Sequence, residues 1–170
     1  MGDSRVLSFR PDPGQFAWTF GGAAPVARIS PGTVLDGHAR QGEGETCGVA
    51  VECAMDTVIV VELLKGLATP WPRIESDTHI MSTGSARPLE DAFRIAQLDL
   101  VQWVAADVGL SMMDAYQFVS QAAESPLANV CDTNYTSVAK LRKDYLPGGI
   151  PTMRGAHAQL REIASAYHGR

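Results

Sequence analysis

Positive charge is scarce in this chain: 14 Lys and Arg against 19 Asp and Glu leave its 170 residues at a formal net charge of −5. A protein that neutralises nucleic-acid phosphates needs clustered basic side chains. The short run Lys140-Leu141-Arg142-Lys143 reads instead as a solvated helix end, so no nucleic-acid partner is expected. Long apolar runs are also lacking. No stretch approaches the ~20 residues of a membrane span, and no membrane partner is expected. Met1-Gly2-Asp3-Ser4-Arg5 has none of the apolar core of a signal peptide, and Val6 stands where a myristoylation signal wants Ser or Thr. Cysteine is sparse: Cys47, Cys53 and Cys131 are odd in number and form no CxxC pair. A reduced, cytoplasmic setting with three small buried thiols is the expectation. Internal repeats and low-complexity segments are missing as well.

What is present suffices for a core. With 45% hydrophobic residues, a chain of this length buries roughly 68–70% of its unfolded surface, which suggests a single domain over 1–170. Its part 6–64 reads as β-rich and its part 65–170 as mainly helical. Phe16, Trp18 and Phe20 alternate along Gln15–Phe20, a strand pattern, and Pro25–Ser30 reads as its partner across Gly21-Gly22. Cys47, Val49, Val51 and Cys53 alternate with small residues, and after a turn near Ala54-Met55-Asp56 the run Thr57–Leu64 is apolar at nearly every position. Such a run marks a strand covered on both faces. Thr69-Pro70-Trp71-Pro72 cannot be helical, and an extended piece follows over Arg73–Met81. Pro88, Glu90, Asp91 and Gly109 then punctuate a helix to about Val108, with an apolar stripe of Leu89, Phe93, Ala96, Leu100, Trp103 and Val104. Ser111 with Asp114 opens a second helix that runs to about Ser125, and a third spans Arg154–Tyr167. Strands first and helices last predict an α+β fold, an antiparallel sheet or sandwich core with C-terminal helices packed on it.

The segment Asp36-Gly37-His38-Ala39-Arg40-Gln41-Gly42-Glu43-Gly44-Glu45 carries the most chemistry. If two strand ends meet at a turn over Arg40-Gln41-Gly42, Asp36 and His38 share one face, as do Glu43 and Glu45. One imidazole and several carboxylates would then converge, a donor set suited to a divalent metal such as zinc. A polar, glycine-rich surface loop is the plainer reading. His79 lies two and four residues after Asp77 and Glu75, on one face of an extended segment. It suits orienting a substrate or a second metal, or a structural hydrogen bond between layers. Cys131 as a nucleophile would want a nearby base, and the sequence around it offers none.

The Asp36–Glu45 stretch resembles the motif Gly-Asp-x-His-Ala-x-x-Gly-Asp/Glu-Gly-Glu of the acetamidase/formamidase family, matching at Asp36, His38, Ala39, Gly42, Glu43, Gly44 and Glu45. Cys47–Glu52 also looks like that family. So does Trp71–Gly84, which is similar to its Pro-Arg-x-Glu-x-x-x-His-Ile-x-x-x-Gly segment, as do the helical pair Leu89–Glu124 and the piece around Val130-Cys131-Asp132. One departure is plain. Family members carry a long central stretch ahead of the Asp-x-His motif, whereas here Thr33-Val34-Leu35 runs directly into Asp36, and Leu35 stands where the family has Gly.

The resemblance implies a metal-dependent amidohydrolase that cleaves short aliphatic amides such as formamide and acetamide to carboxylate and ammonia. Zinc is the implied cofactor, a small amide the partner, and a homo-oligomer the assembly. Asp36, His38 and Glu45 are the implied metal ligands, and Glu43, Glu45 and His79 the implied catalytic groups. The alternative is a non-catalytic, internally deleted remnant that acts at most as a folded or self-associating module.

Overall fold

The structure is a computed structural model that describes residues 6–10, 12–15, 24, 25, 28–30, 33–41, 53–131, 134–148 and 150–168; for 13, 34–41, 53–57 and 168 the backbone alone is described. In chain order come strands β1 (Val6–Phe9), β2 (Thr33–Gln41), β3 (Cys53–Val61), β4 (Arg73–Glu75) and β5 (His79–Ala86). Helices α1 (Leu89–Val108) and α2 (Met112–Ala122) follow, then β6 (Leu127–Asn129), β7 (Tyr135–Arg142) and α3 (Ala156–His168). The described residues group into two compact units. One carries β1 to β3 and the end of the chain from Gln159, and the other holds Leu67–Ala158.

In the first unit β2 is central. It pairs in parallel with β1 and antiparallel with β3, in unbroken register from Thr33 opposite Val61 to Gln41 opposite Cys53. This corrects the turn expected at Arg40-Gln41-Gly42, because Arg40 and Gln41 sit inside the ladder opposite Ala54 and Cys53. The turn expected near Ala54-Met55-Asp56 is likewise strand. Ladder bonds use backbone amides, so charged and glycine positions extend a strand without an apolar pattern to announce it. Val58 and Ile59 are exposed, where the apolar run suggested cover on both faces. Gln15 closes a short 3-10 turn, and Ala24, Pro25 and Arg28–Ser30 are not strand. Phe16, Trp18 and Phe20 lie outside the described residues.

The second unit is an antiparallel sheet of order β4-β5-β7-β6, with α1 lying on β5 and β7 and α2 packed on α1. The chain is therefore α+β, as expected. Strands β6 and β7 nevertheless follow α2, so helices do not simply succeed strands, and Lys140–Arg142 end a strand rather than a helix. The inward positions of β5 and β7 pair as Ile80 with Leu141, Ser82 with Ala139 and Gly84 with Ser137, every one of them buried. Side-chain size thus tapers along the sheet from branched aliphatics to almost nothing. At the wide end Ile80 and Leu141 join Leu100, Trp103 and Val104 of α1 in the core. At the narrow end α1 comes so close that a Cβ on Gly84 would sit 2.2 Å from the Ala92 carbonyl oxygen.

Local signals set the helix ends. Pro88 is the N-cap of α1, Glu90 and Asp91 occupy its dipole-positive first turn, and Gly109 stops it with φ 76°. The Ser111 side chain caps α2 by accepting from the Asp114 amide at 3.1 Å. Among the described residues one carboxylate lies in the interior: Asp99, 2% exposed, receives two hydrogen bonds from Arg73 at 2.9 and 2.8 Å and one from Ser82 at 2.6 Å.

Candidate functional site

Two of the metal-ligand candidates lie on one strand. Asp36 and His38 sit two residues apart in the middle of β2, opposite Val58 and Asp56 of β3. Successive strand positions alternate between faces, and directly opposed residues of an antiparallel pair share a face. Asp36, His38 and Asp56 therefore occupy neighbouring positions on one side of the β2–β3 ladder. Asp56 is the residue that sequence reasoning missed. The segment around it reads as a turn, and only the register places it beside the imidazole position. Glu43 and Glu45 lie outside the described residues.

The chemistry of this trio fits a divalent cation. One imidazole nitrogen and two carboxylates make a mixed nitrogen–oxygen donor set of the kind zinc accepts. A carboxylate beside a ligating histidine also commonly fixes the ring's tautomer and orientation. Among the residues whose side chains are described, no group of three His, Cys, Asp or Glu is arranged to hold a metal.

Residues Glu75, Asp77 and His79 do not line one extended face, because the chain reverses between β4 and β5. The Ser76 hydroxyl drives that turn, accepting from the amides of Thr78 and His79 at 3.3 and 3.0 Å, while the Ser76 amide donates to the His79 carbonyl at 2.9 Å. Each of the three then meets its own partner. Glu75 Oε1 lies 2.6 Å from Lys143 Nζ and accepts from the Thr152 hydroxyl. Asp77 Oδ1 is 2.9 Å from His157 Nε2, and His79 Nδ1 is 2.8 Å from Thr78 Oγ1. Glu75 Oε2 is buried with no hydrogen-bond partner among the described residues. The Cys131 thiol is exposed and lies 3.7 Å from Asn129 Oδ1, an amide oxygen that cannot take its proton as a base would.

The described group with a perturbed acidity in this unit's interior is Asp99. Burial pushes its carboxyl up, but hydrogen bonds from Arg73 and Ser82 and the Arg73 charge outweigh burial and hold it below the ordinary carboxylate value. Asp99 is thus a fixed anion that anchors Arg73. The guanidinium in turn lies 4.8 Å from the centre of the Trp103 ring. This is structural chemistry, since the carboxylate spends two hydrogen bonds on Arg73 and one on Ser82 to tie helix to sheet.

No family model matches the chain, and no curated protein matches it. Solved structures do. The chain is similar to an acetamidase from Yersinia enterocolitica, at 50% identity and TM-score 0.59, over 63% of this chain and 32% of that one. It is similar to an acetamidase from Bacillus halodurans at 28% identity and TM-score 0.56, over 64% of this chain and 38% of that one. A predicted acetamidase/formamidase from Thermoanaerobacter tengcongensis matches at 27% identity and TM-score 0.55, over 62% and 36%. The matched part of this chain spans about a third of the length of these structures.

Proposed function

We propose that this chain, whose fold is shared with solved acetamidases, is an amidohydrolase of that kind acting on short aliphatic amides with a bound divalent metal, zinc for preference. The observation that carries the reading is the juxtaposition of Asp36, His38 and Asp56 on one side of the β2–β3 ladder, in a chain 50% identical over its matched part to an acetamidase structure.

In this reading Asp36 and His38 hold the cation. Asp56 either completes the donor set or accepts the other His38 ring N–H and so fixes which nitrogen faces the metal. Glu45 is a further ligand. When bound, the metal would act as a Lewis acid on the amide carbonyl and acidify a water molecule at neutral pH. Glu43 would serve as the general base, holding a proton and delivering it to the departing ammonia. His79 is proposed to orient the substrate.

The test combines two readouts on the purified full chain: metal content by elemental analysis, and ammonia released from formamide and acetamide. The reading expects about one metal per chain, activity abolished by chelator and restored by zinc, and loss of both metal and activity in His38→Ala. Asp56→Asn should lower metal affinity by roughly 10–100-fold, the usual effect of removing such a supporting group. Metal well below stoichiometry together with no ammonia above buffer would overturn the enzyme reading in favour of a non-catalytic member of the same fold.

A further inference from the structure

Arg40 is the one Lys or Arg within strands β1 to β3, and it stands beside the proposed metal trio. It follows His38 by two positions on β2 and lies opposite Ala54 of β3. Asp36, His38 and Arg40, with Asp56 across the ladder, thus occupy positions on one face. Ala54 brings only a methyl group to the opposed position, so no acid faces Arg40 directly in the ladder. The same face is open to solutes. Val58, opposite Asp36, is 37% exposed, and Val6 and Ser8 of β1, paired with Val34 and Asp36, are exposed as well.

We infer that Arg40 binds the anion that amide hydrolysis creates, first the oxyanion and then the carboxylate product. This rests on the reading of Asp36, His38 and Asp56 as a metal site, and it names how the substrate's oxygen would be held there. Hydrolysis adds a water oxygen to the carbonyl carbon and moves the C=O π pair onto the carbonyl oxygen. The C–N bond then breaks, the nitrogen leaves as ammonium with both protons of the water, and a carboxylate remains. Negative charge therefore grows on a face that already holds the carboxylates of Asp36 and Asp56, with Glu45 a further one in the proposed donor set. A dication offsets two carboxylates and no more, so a second cation is needed for an anion to be stable beside them. Arg40 supplies it, one ladder row beyond His38. A guanidinium also fits the task by shape, because its planar fork pairs with two oxygens at once. The plainer role is a diagonal ion pair with Asp56, a neighbour that long side chains reach across a ladder.

The full chain, loaded with zinc, separates the two roles through acetate affinity by titration calorimetry and through kcat and KM for acetamide. Arg40→Gln is expected to keep the wild-type zinc content and to weaken acetate at least about tenfold, the scale of a lost hydrogen bond to a charged group. Its kcat should fall by roughly 100-fold or more, as when one oxyanion donor is removed, with a smaller change in KM. Arg40→Lys keeps the charge without the fork and should recover part of both losses. An Arg40→Gln chain with wild-type acetate affinity and kcat overturns the proposal and leaves the metal site standing. Zinc lost along with acetate also overturns it, since Arg40 would then be a support of the ladder. A wild-type chain that takes up no zinc and releases no ammonia marks failure of the amidase reading itself, and the role of Arg40 falls with it.

Discussion

Asp99 shows how one side chain holds a layer together. A carboxylate 2% exposed is costly unless it is paired and fully hydrogen-bonded, and Arg73 with Ser82 supplies both conditions across helix and sheet. Replacing Arg73 by Met keeps much of the packing on Trp103 but strands the anion. The expected loss is about 3–5 kcal/mol, the range for breaking one side of a buried pair, read by urea unfolding at pH 7. The acid dependence carries a sign that can be checked. Asp99 is held below its unfolded pKa of about 3.9, so the folded state binds the proton less readily than the unfolded state. Its contribution is present above about pH 4 and is lost as pH falls through the lowered folded value. The stability gap between wild type and Asp99→Asn should therefore be constant from pH 7 to 5 and shrink only below about 4. A gap that is unchanged at pH 3 and below would refute this role.

At the scale of elements, the taper of β5 and β7 decides where α1 can lie. A methyl group on Gly84 would meet the backbone of Ala92 and Ala96 at 2.2 and 2.6 Å, together with Ile95 Cβ at 2.9 Å. Backbone cannot swing aside as a side-chain tip can. Gly84→Ala should cost about 1–3 kcal/mol or more through overpacking, whereas Ser111→Ala should cost about 1 kcal/mol through the lost α2 cap; urea midpoints rank the two. These elements also mark what could be read from the sequence alone. Helix α1 was legible to within a residue because proline, first-turn acids, an apolar stripe and a stop glycine all agree, and α2 announced itself through Ser111 and Asp114. Strand β7 was hidden. Its inward residues Ser137, Ala139 and Leu141 differ little in polarity from outward Thr136 and Val138, so no period of two stands out, and the basic end at Lys140–Lys143 mimics a helix terminus. The long β2 was hidden for a related reason, since Gly37, His38 and Arg40 erase its pattern. The metal-ligand candidates Asp36 and His38 were therefore legible as residue types, but Asp56 was not, because pairing register is a property of two strands and not of either sequence. Glu75, Asp77 and His79 misled in the opposite direction. Their spacing of two suggested one face until the Ser76 hydroxyl turned the chain between them.

For the whole molecule, cohesion is unevenly spread. Among the described residues every buried apolar side chain lies between Ile80 and Leu141, in the unit of α1, α2 and the β4-β5-β7-β6 sheet. The β1–β3 unit shows only Thr33 buried among the side chains described, and its β1 is a four-residue edge strand. Local opening free energies follow buried contact, so amides of β5, β7 and α1 should exchange with deuterium by the slowest route, and those of β1 to β3 well before them. Metal binding to the β1–β3 unit would narrow that contrast, because a ligand that binds only the folded form adds RT ln(1 + [L]/Kd) to the unit that holds it. If Asp36, His38 and Asp56 hold zinc, saturation at about 100 times its dissociation constant should slow exchange across β2 and β3 by up to roughly 100-fold and leave β5 and β7 nearly unchanged. His38→Ala should abolish the zinc-dependent part alone. Protection that rises equally in both units, or only in the helical one, would place the cation elsewhere and remove β2 from the proposed chemistry, while leaving the likeness to the acetamidase fold intact.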